Sequence, residues 1–394
     1  MNILIIPLLG TLGVPKSGGE NRLYNMCNQL VDSGHIIYVL QKNKALDIKT
    51  YSVRKLYTFR ELRFGERTLV SLTDFNPDFV FKLNKIIREE KIDLIQFSGP
   101  WGIIISKIII KFNFVDIPVI YDAHDVEADL ANYVFAKNSN YSFFEKLFLI
   151  KYTSFQERIA TRICDHILSV SQEDKLRFIQ KYGIENAKIT SIPSGASIAI
   201  PKMYEDKEKI KARFGFDRRK KIIVFHGSYF HMPNKEAIEL INSYIAPVIE
   251  NKGFDASFVI AGFNVPIYEK SNIRSIGFVE DLYSLLYVSD IAIVPIMGGS
   301  GTRIKILDYM GVGLPIVSTK KGIEGINAEN MIDAIIVDNI NEEFINSIAY
   351  LLNNLEERKR LGRNAMKLVQ EEYEWNKIGE KLDQLYRKLS VSNY

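Results

Sequence analysis

The sequence predicts an α/β protein made of two Rossmann-like, doubly wound parallel-sheet domains that face a central cleft. Three observations predict it. Apolar strand-like runs alternate with helix-period segments from Asn2 to Ile192, the order that specifies a parallel sheet with helical crossovers. A polar, Lys-rich stretch from 196 to 220 breaks the pattern, and a second alternation starts at Lys221. The length of 394 residues exceeds what one ordinary core supports, so two domains are expected.

In chain order, the apolar run Asn2–Pro7 lacks a basic flank and reads as a first strand, not a signal peptide. Leu23, Met26, Cys27 and Leu30 have helical spacing and predict a helix over 21–33, stopped by Gly34. A strand is expected at 35–41. Helices at 75–90 and 101–112 lead into strands at 93–97 and 118–122. A long helix is expected at 141–163, with strands at 165–171 and 189–192. In the second half the expected strands are 221–226, 256–261, 273–277, 291–296, 316–319 and 334–337. The expected helices are 234–250, 281–288 and 302–309, and the charged tail 342–389 reads as helical. The domain ranges that follow are 1–195, a linker 196–220, and 221–372, with a helical tail 373–394.

A hydrophobic fraction of 47% and a charged fraction of 25% are those of a soluble globular protein. The net charge of +4 suits an anionic substrate or a membrane surface, and is too weak and dispersed to indicate nucleic acid. Cys27 and Cys164 lie far apart without ligand spacing, and read as two buried thiols in a reducing compartment. No run reaches the roughly 18 apolar residues of a spanning helix. No Ser-His-Asp set, P-loop or zinc signature is present, and the early glycines do not spell GxGxxG. No metal and no cofactor are expected.

The sequence is organised around Gly298-Gly299-Ser300-Gly301-Thr302-Arg303-Ile304-Lys305-Ile306-Leu307-Asp308. A buried strand runs into a glycine loop and then a helix, so bare N–H groups and the helix dipole would face one anion. Arg303 and Lys305 add formal charge, which points to a diphosphate more than to an unliganded turn. On a helix starting at Thr302, Lys305 and Asp308 share a face. Arg303 would be turned about 200° from Lys305, so both reach one ligand only if the first turn is irregular.

Other polar groups stand at expected strand ends, where ligands lie in open α/β sheets. Gly18 and Gly19 open the first helix. His124 sits among Asp122, Asp125 and Glu127, with Asp125 a candidate cap for the next helix. Gly227 and Ser228 follow another strand, and Pro233-Asn234 shapes the helix after it. Gly277-Phe278-Val279 is a turn whose backbone could meet a flat base. Two stretches, 103–114 and 141–155, mix large apolar residues with Lys107, Lys111, Lys146 and Lys151, and would suit either a sheet face or an anionic bilayer.

Over nearly its whole length the chain resembles the retaining GT-B glycosyltransferases of family 4, also called group 1. Gly18-Gly19 with Arg22, Leu30 and Gly34-His35 is similar to that family's first loop and helix. Ser169-Val170-Ser171 and Ile192-Pro193-Ser194-Gly195 resemble its end-of-domain markers. Ser289-Asp290 through Pro295, then Asp308-Tyr309-Met310 to Gly313-Leu314-Pro315, resembles its most diagnostic block. Glu372-Tyr373-Glu374-Trp375 resembles the point where the C-terminal helix crosses back to the first domain.

Two departures stand out. The family's paired Glu positions fall on Ser300 and Asp308, and its usual Arg and Lys after the first strand of the second domain give way to Ser228 and Pro233-Asn234. The sequence looks like a subgroup with Pro-Asn there and a Gly-Thr-Arg-x-Lys block. The resemblance then implies that Arg303 or Lys305 grips the donor diphosphate, Asp308 holds the ribose, Gly277 to Val279 meet the base, and His124 lies near the transferred sugar. Gly227, Ser228, Asn234, Gly299, Ser300, Gly301 and Thr302 would complete the donor cradle, without the sugar-hydroxyl contact that a Glu at 300 would make.

The implied activity is transfer of a sugar, with retention, from a UDP- or GDP-sugar to a glycan or lipid-linked acceptor. The implied role is cell-surface polysaccharide or glycolipid assembly. The expected location is cytoplasmic, with peripheral contact to the inner membrane face through the first domain as an open alternative. Two rivals remain at this level: another GT-B activity such as nucleotide-sugar epimerisation, and a non-catalytic sugar-nucleotide-binding partner.

Overall fold

The computed structural model describes residues 1–8, 11–12, 18–42, 53–64, 67–68, 70–137, 142–196, 206–299 and 301–391. Lys16, Ser17 and the candidate site residue Ser300 lie outside them. The chain forms two compact units. One comprises Met1–Ser194 with Gly301, Thr302 and the stretch from Trp375. The other comprises Gly195–Gly299 and Arg303–Glu374.

The first unit contains β1 (Asn2–Pro7), α1 (Gly18–Asp32), β2 (Ile36–Lys42), β3 (Val53–Phe59) and a ribbon of β4 (Arg63–Phe64) with β5 (Arg67–Thr68). Then come α2 (Pro77–Glu89), β6 (Leu94–Ser98), α3 (Ile103–Phe112), β7 (Val119–Ala123), α4 (Glu127–Lys137), α5 (Phe143–Ile163), β8 (His166–Ser169), α6 (Gln172–Tyr182) and β9 (Ile189–Ser191). Seven strands form one parallel sheet, ordered β3-β2-β1-β6-β7-β8-β9.

Its β1 is apolar without interruption because both faces are covered. Leu4 and Ile6 pack with Phe79, Leu83 and Ile86 of α2 on one side. Ile3 and Ile5 pack with Leu23 and Met26 of α1 on the other, together with Trp375, Ile378 and Leu382 of the C-terminal helix. That helix is held on the first unit by more than apolar contact: His35 Nε2 lies 2.5 Å from Asp383 Oδ1. Cys27 and Cys164 are buried, and burial pushes each thiol up to about 12.

The second unit runs α7 (Lys207–Arg213), β10 (Lys221–His226), α8 (Met232–Leu240), α9 (Ala246–Asn251), β11 (Ala256–Ala261), β12 (Tyr268–Lys270), β13 (Ile273–Gly277), α10 (Leu282–Val288) and β14 (Ile291–Val294). It continues with α11 (Ile304–Gly311), β15 (Ile316–Thr319), β16 (Ile335–Val337), α12 (Glu342–Asn353) and α13 (Leu355–Leu368); α14 (Trp375–Val391) belongs to the first unit. Its sheet is ordered β12-β13-β11-β10-β14-β15-β16, with only β12 antiparallel.

Several expectations are corrected. The helix expected at 234–250 is α8, a π-helical turn at Ile241–Ile245 and then α9. Pro247 sits in the first turn of α9 and has no N–H for the α ladder. The tail is three helices, interrupted by extended backbone at Asn354 and Glu374. The sequence reading missed β3, an edge strand with an exposed start, and α6, whose buried set is only Asp174, Phe178 and Tyr182. It also missed α4. The first N–H groups of α4, from Glu127 and Ala128, donate to the buried Glu157 of α5 at 2.8 and 3.0 Å. The Tyr121 and Tyr182 hydroxyls donate to the same carboxyl at 2.9 and 2.5 Å. Burial pushes the Glu157 pKa up against these bonds. Among the described residues no helix is long and apolar enough to cross a membrane.

Candidate active site

In the second unit, β10 ends at His226 and the chain passes Gly227 and Ser228 before α8. Asn234 lies in the first turn of α8, nearly buried. Its Nδ2 donates to the Ser228 carbonyl at 2.9 Å, which fixes the amide with Oδ1 facing Lys305. Lys305, in the first turn of α11, donates from Nζ to that Oδ1 at 2.5 Å. The same Nζ stands 4.2 Å from the Phe225 ring centroid. Position 227 is tight. A Cβ there would come within 2.6 Å of Asn234 Nδ2 and 2.7 Å of Lys305 Nζ.

The electrostatics follow from burial. Desolvation holds the Lys305 ammonium well below its usual pKa, the charge of Arg303 pushes the same way, and Asp308 opposes both. Asp308, three residues along α11, is pushed up to about 7 by burial, with Lys305 pulling it back. Its Oδ2 is 3.7 Å from His226 Nε2. Burial and the Lys305 charge lower His226 to about 3, and His231 to about 4 with Arg303 contributing, so both imidazoles are neutral. The bonding partner of the Lys305 ammonium is thus a neutral amide. An anion placed beside it would recover part of the lost solvation.

Arg303 is not on the helix. It is the residue before α11, with φ −84° and ψ 87°, and its Nη2 donates to the Gly298 carbonyl at 3.0 Å. This corrects the helix start from Thr302 to Ile304. The reason is the left-handed backbone at Gly299 (φ 97°) and Gly301 (φ 73°), which delays the first helical turn. The irregular start frees Arg303 from the helical angle that would have turned it away from Lys305. Gly299 is also tight: a Cβ would meet Pro233 Cγ at 2.9 Å. Thr302 is half-buried and precedes Arg303.

At the end of β13, Gly277 has φ 71° and its carbonyl accepts from the Gly262 N–H at 2.7 Å. Phe278 is exposed and Val279 half-buried. Phe278 meets Phe263 edge-on with centroids 6.4 Å apart, and Phe263 meets Phe230 at 6.2 Å. Phe230 is 76% exposed. Sequence reasoning missed this aromatic shelf, because its three rings come from three separate loops.

In the first unit, His124 follows β7. Its Nε2 lies 3.1 Å from Asp122 Oδ2, which leaves Nδ1 toward Gly19, where a Cβ would stand 3.0 Å away. Asp122 is fully buried. Its Oδ1 accepts from Arg22 Nη2 at 2.9 Å and its Oδ2 from Gln96 Nε2 at 3.0 Å. The Tyr386 hydroxyl of α14 donates to Gln96 Oε1 at 2.6 Å. Burial alone would raise the Asp122 pKa, but the Arg22 charge and then His124 hold it well below the usual carboxylate range. The sequence marked Arg22, Gln96 and Tyr386 for no role in this site. Gly18 is exposed and begins α1. Among the described residues no group of three His, Cys, Asp or Glu could hold a metal ion.

Comparison with known proteins agrees with this architecture. Residues 16–199 match the model "Glycosyltransferase Family 4" and residues 220–354 match "Glycosyl transferases group 1". The two matches fall one on each α/β unit. A 44.6 kDa Klebsiella pneumoniae protein in the cps region is 25% identical over 255 residues, 61% of this chain. The match spans 62% of that relative's length. Among solved structures, Thermosynechococcus elongatus sucrose-phosphate synthase aligns with TM-score 0.77 at 14% identity, over 99% of each chain. Anabaena HepE in complex with UDP and glucose aligns with TM-score 0.73 at 16% identity, over 98% of this chain and 100% of that one. These likenesses show a GT-B fold of two α/β units.

Proposed function

We propose that this family 4 type protein transfers a hexose-type sugar from a nucleoside diphosphate sugar to an acceptor hydroxyl, with retention. The observation that carries the reading is the desolvated Lys305 ammonium, held by the neutral Asn234 amide at 2.5 Å, with Arg303 next to it. A diphosphate supplies the anion this cluster favours. Arg303, Lys305 and the N–H groups at the start of α11 bind it, and stabilise the charge that grows as the sugar leaves.

In the step proposed, the acceptor oxygen bonds to the anomeric carbon on the face from which the bond to the diphosphate breaks. The acceptor proton passes to the departing phosphate oxygen. His124, fixed through Nε2 by Asp122, offers Nδ1 to a hydroxyl of the sugar. Asp308 takes the ribose, and the Phe230–Phe263–Phe278 shelf with Gly277 and Val279 takes the base. UDP is the first donor nucleotide to test, since the HepE neighbour was solved with it. The acceptor proposed is a glycan or lipid-linked glycan of a cell-surface polysaccharide or glycolipid, at the cytoplasmic face of a membrane that the first unit contacts. No cofactor or metal enters this scheme.

The test is a thermal-shift screen with UDP, GDP and their sugars, followed by donor hydrolysis and transfer assays. Stabilisation by one nucleotide family, lost in Lys305→Ala and Asp308→Ala with folding retained, is the expected result. Variants that bind and hydrolyse donor like the parent protein would overturn the site, and release of a free epimerised sugar would overturn the reaction.

A further inference from the structure

α5 presents an apolar face to solvent that no described part of its unit covers. Phe143 is 73% exposed and Phe144 80%. Leu147, Phe148 and Phe155 continue the stripe at helical spacing. The Phe148 and Tyr152 rings stack at 5.5 Å, and with Phe144, Leu147 and Lys151 they line a shallow groove of about 390 Å³. Large contiguous apolar patches on a soluble surface mark an interaction site.

We propose that this α5 face docks the protein onto an anionic bilayer surface, lying in the interface plane. Charge selects the occupant. Lys146, Lys151, Arg158 and Arg162 lie on the same helix, three of them exposed, against the single exposed carboxylate Glu145. Glu145 accepts from the Ser142 N–H at 2.8 Å in the capping box of the same helix. Four of the five aromatics, Phe143, Phe144, Phe148 and Tyr152, lie in the first half of α5, and the arginines in the last two turns. Aromatic rings therefore enter the acyl boundary while guanidinium groups stay with the headgroups. A two-fold contact with a second copy would set these cations against one another. In the stretch 103–114, Ile103, Ile109 and Ile110 face the core and Lys107 is bonded to Asp165 at 2.5 Å, whereas Ile108, Phe112 and Phe114 are exposed. The proposal rests on the proposed function for a membrane-borne acceptor and names the surface of the first unit that would meet that membrane; none of its residues is a donor-site residue.

The experiment is co-sedimentation of the full chain with vesicles of phosphatidylcholine containing phosphatidylglycerol, against phosphatidylcholine alone. UDP binding is measured in parallel. The protein is expected on the anionic vesicles, and Phe144→Ser/Phe148→Ser is expected to weaken that partition by roughly tenfold or more while UDP affinity stays unchanged. Lys151→Glu/Arg158→Glu should remove the preference for anionic lipid. Equal partition of parent and variants, or no partition at all, overturns the proposal. So does a concentration-dependent dimer that the same aromatic substitutions dissolve. Loss of UDP binding throughout, with vesicle binding intact, would count against the donor site and not against α5.

Discussion

Lys305 and Asn234 are bonded through their side chains at 2.5 Å although 71 positions separate them. Each supports the other's unusual state: the amide is fixed by the Ser228 carbonyl, and the ammonium is buried with a neutral partner. Substitutions at 234 therefore separate fold from ligand binding. Asn234→Asp places a carboxylate against the ammonium, so the cluster is neutralised before a nucleotide arrives. UDP affinity should fall by about tenfold or more, about 1.4 kcal/mol, with the fold intact. Asn234→Ala leaves Lys305 without its acceptor and should cost about 1–3 kcal/mol in stability as well. Urea unfolding and nucleotide titration read the two effects, and unchanged affinity in Asn234→Asp would remove Lys305 from the anion site.

Gly227→Ala tests the same contact from the backbone side. The added methyl would lie 2.6 Å from Asn234 Nδ2 and 2.7 Å from Lys305 Nζ, so one of them must move. A stability loss of about 1–3 kcal/mol is expected, with UDP affinity reduced further than the fold alone explains. Calorimetric titration at a temperature well below the variant's midpoint separates the two.

Asp308 makes stability depend on pH in an uncommon direction. Its folded pKa is raised to about 7 from 3.8, chiefly by burial. Between those values the folded state holds a proton that the unfolded chain has lost, so stability falls as pH rises, then levels off above 7. At about 1.4 kcal/mol per pKa unit the upper limit of the effect is about 4 kcal/mol. Asp308→Asn should match the parent protein below pH 4, gain on it progressively through the window, and keep that gain at pH 8. Denaturant midpoints across the pH range check this. A difference that shrinks with rising pH would refute the assignment.

Asp122 shows the opposite sign. Its pKa lies below the usual carboxylate value because the Arg22 and His124 charges outweigh burial, so the stability it confers is present at neutral pH and fades in acid. Arg22→Gln strands a fully buried carboxylate and should cost about 3–5 kcal/mol at pH 7. Near pH 3 the gap to the parent protein should narrow. Tyr386→Phe removes only the hydroxyl that orders Gln96, and should cost about 1 kcal/mol while lowering turnover more than it changes the KM for donor. A variant that alters KM alone would mean that the α14 network does not reach His124.

Much of the architecture was readable because parallel strands buried on both faces leave unbroken apolar runs, as in Ile3 to Ile6 and Ile291 to Val294. The start of α10 was expected at 281, and there Asp281 accepts from the Ser284 N–H at 3.1 Å. Lys305 and Asp308 were visible together because their spacing of three residues is local too. What stayed hidden was made by distant pairing or by backbone sign. Arg22 finds Asp122 across 100 positions, and Asn234 finds Lys305 only once β10 and β14 lie side by side. The place of Arg303 depended on two glycines in left-handed backbone, which composition suggests but cannot time. β3 and α6 left weak signals because each buries so little.

Glu157 gears α5 to the turn that carries His124. Its carboxyl belongs to the helix whose other face bears the exposed aromatics, yet it holds the leading N–H groups of α4, three and four residues after His124. α5 cannot roll or slide without stripping those groups of their acceptor, and Tyr121 and Tyr182 brace the same carboxyl from β7 and α6. The helix with the exposed aromatic face and the turn that follows His124 are thus joined through one buried carboxyl.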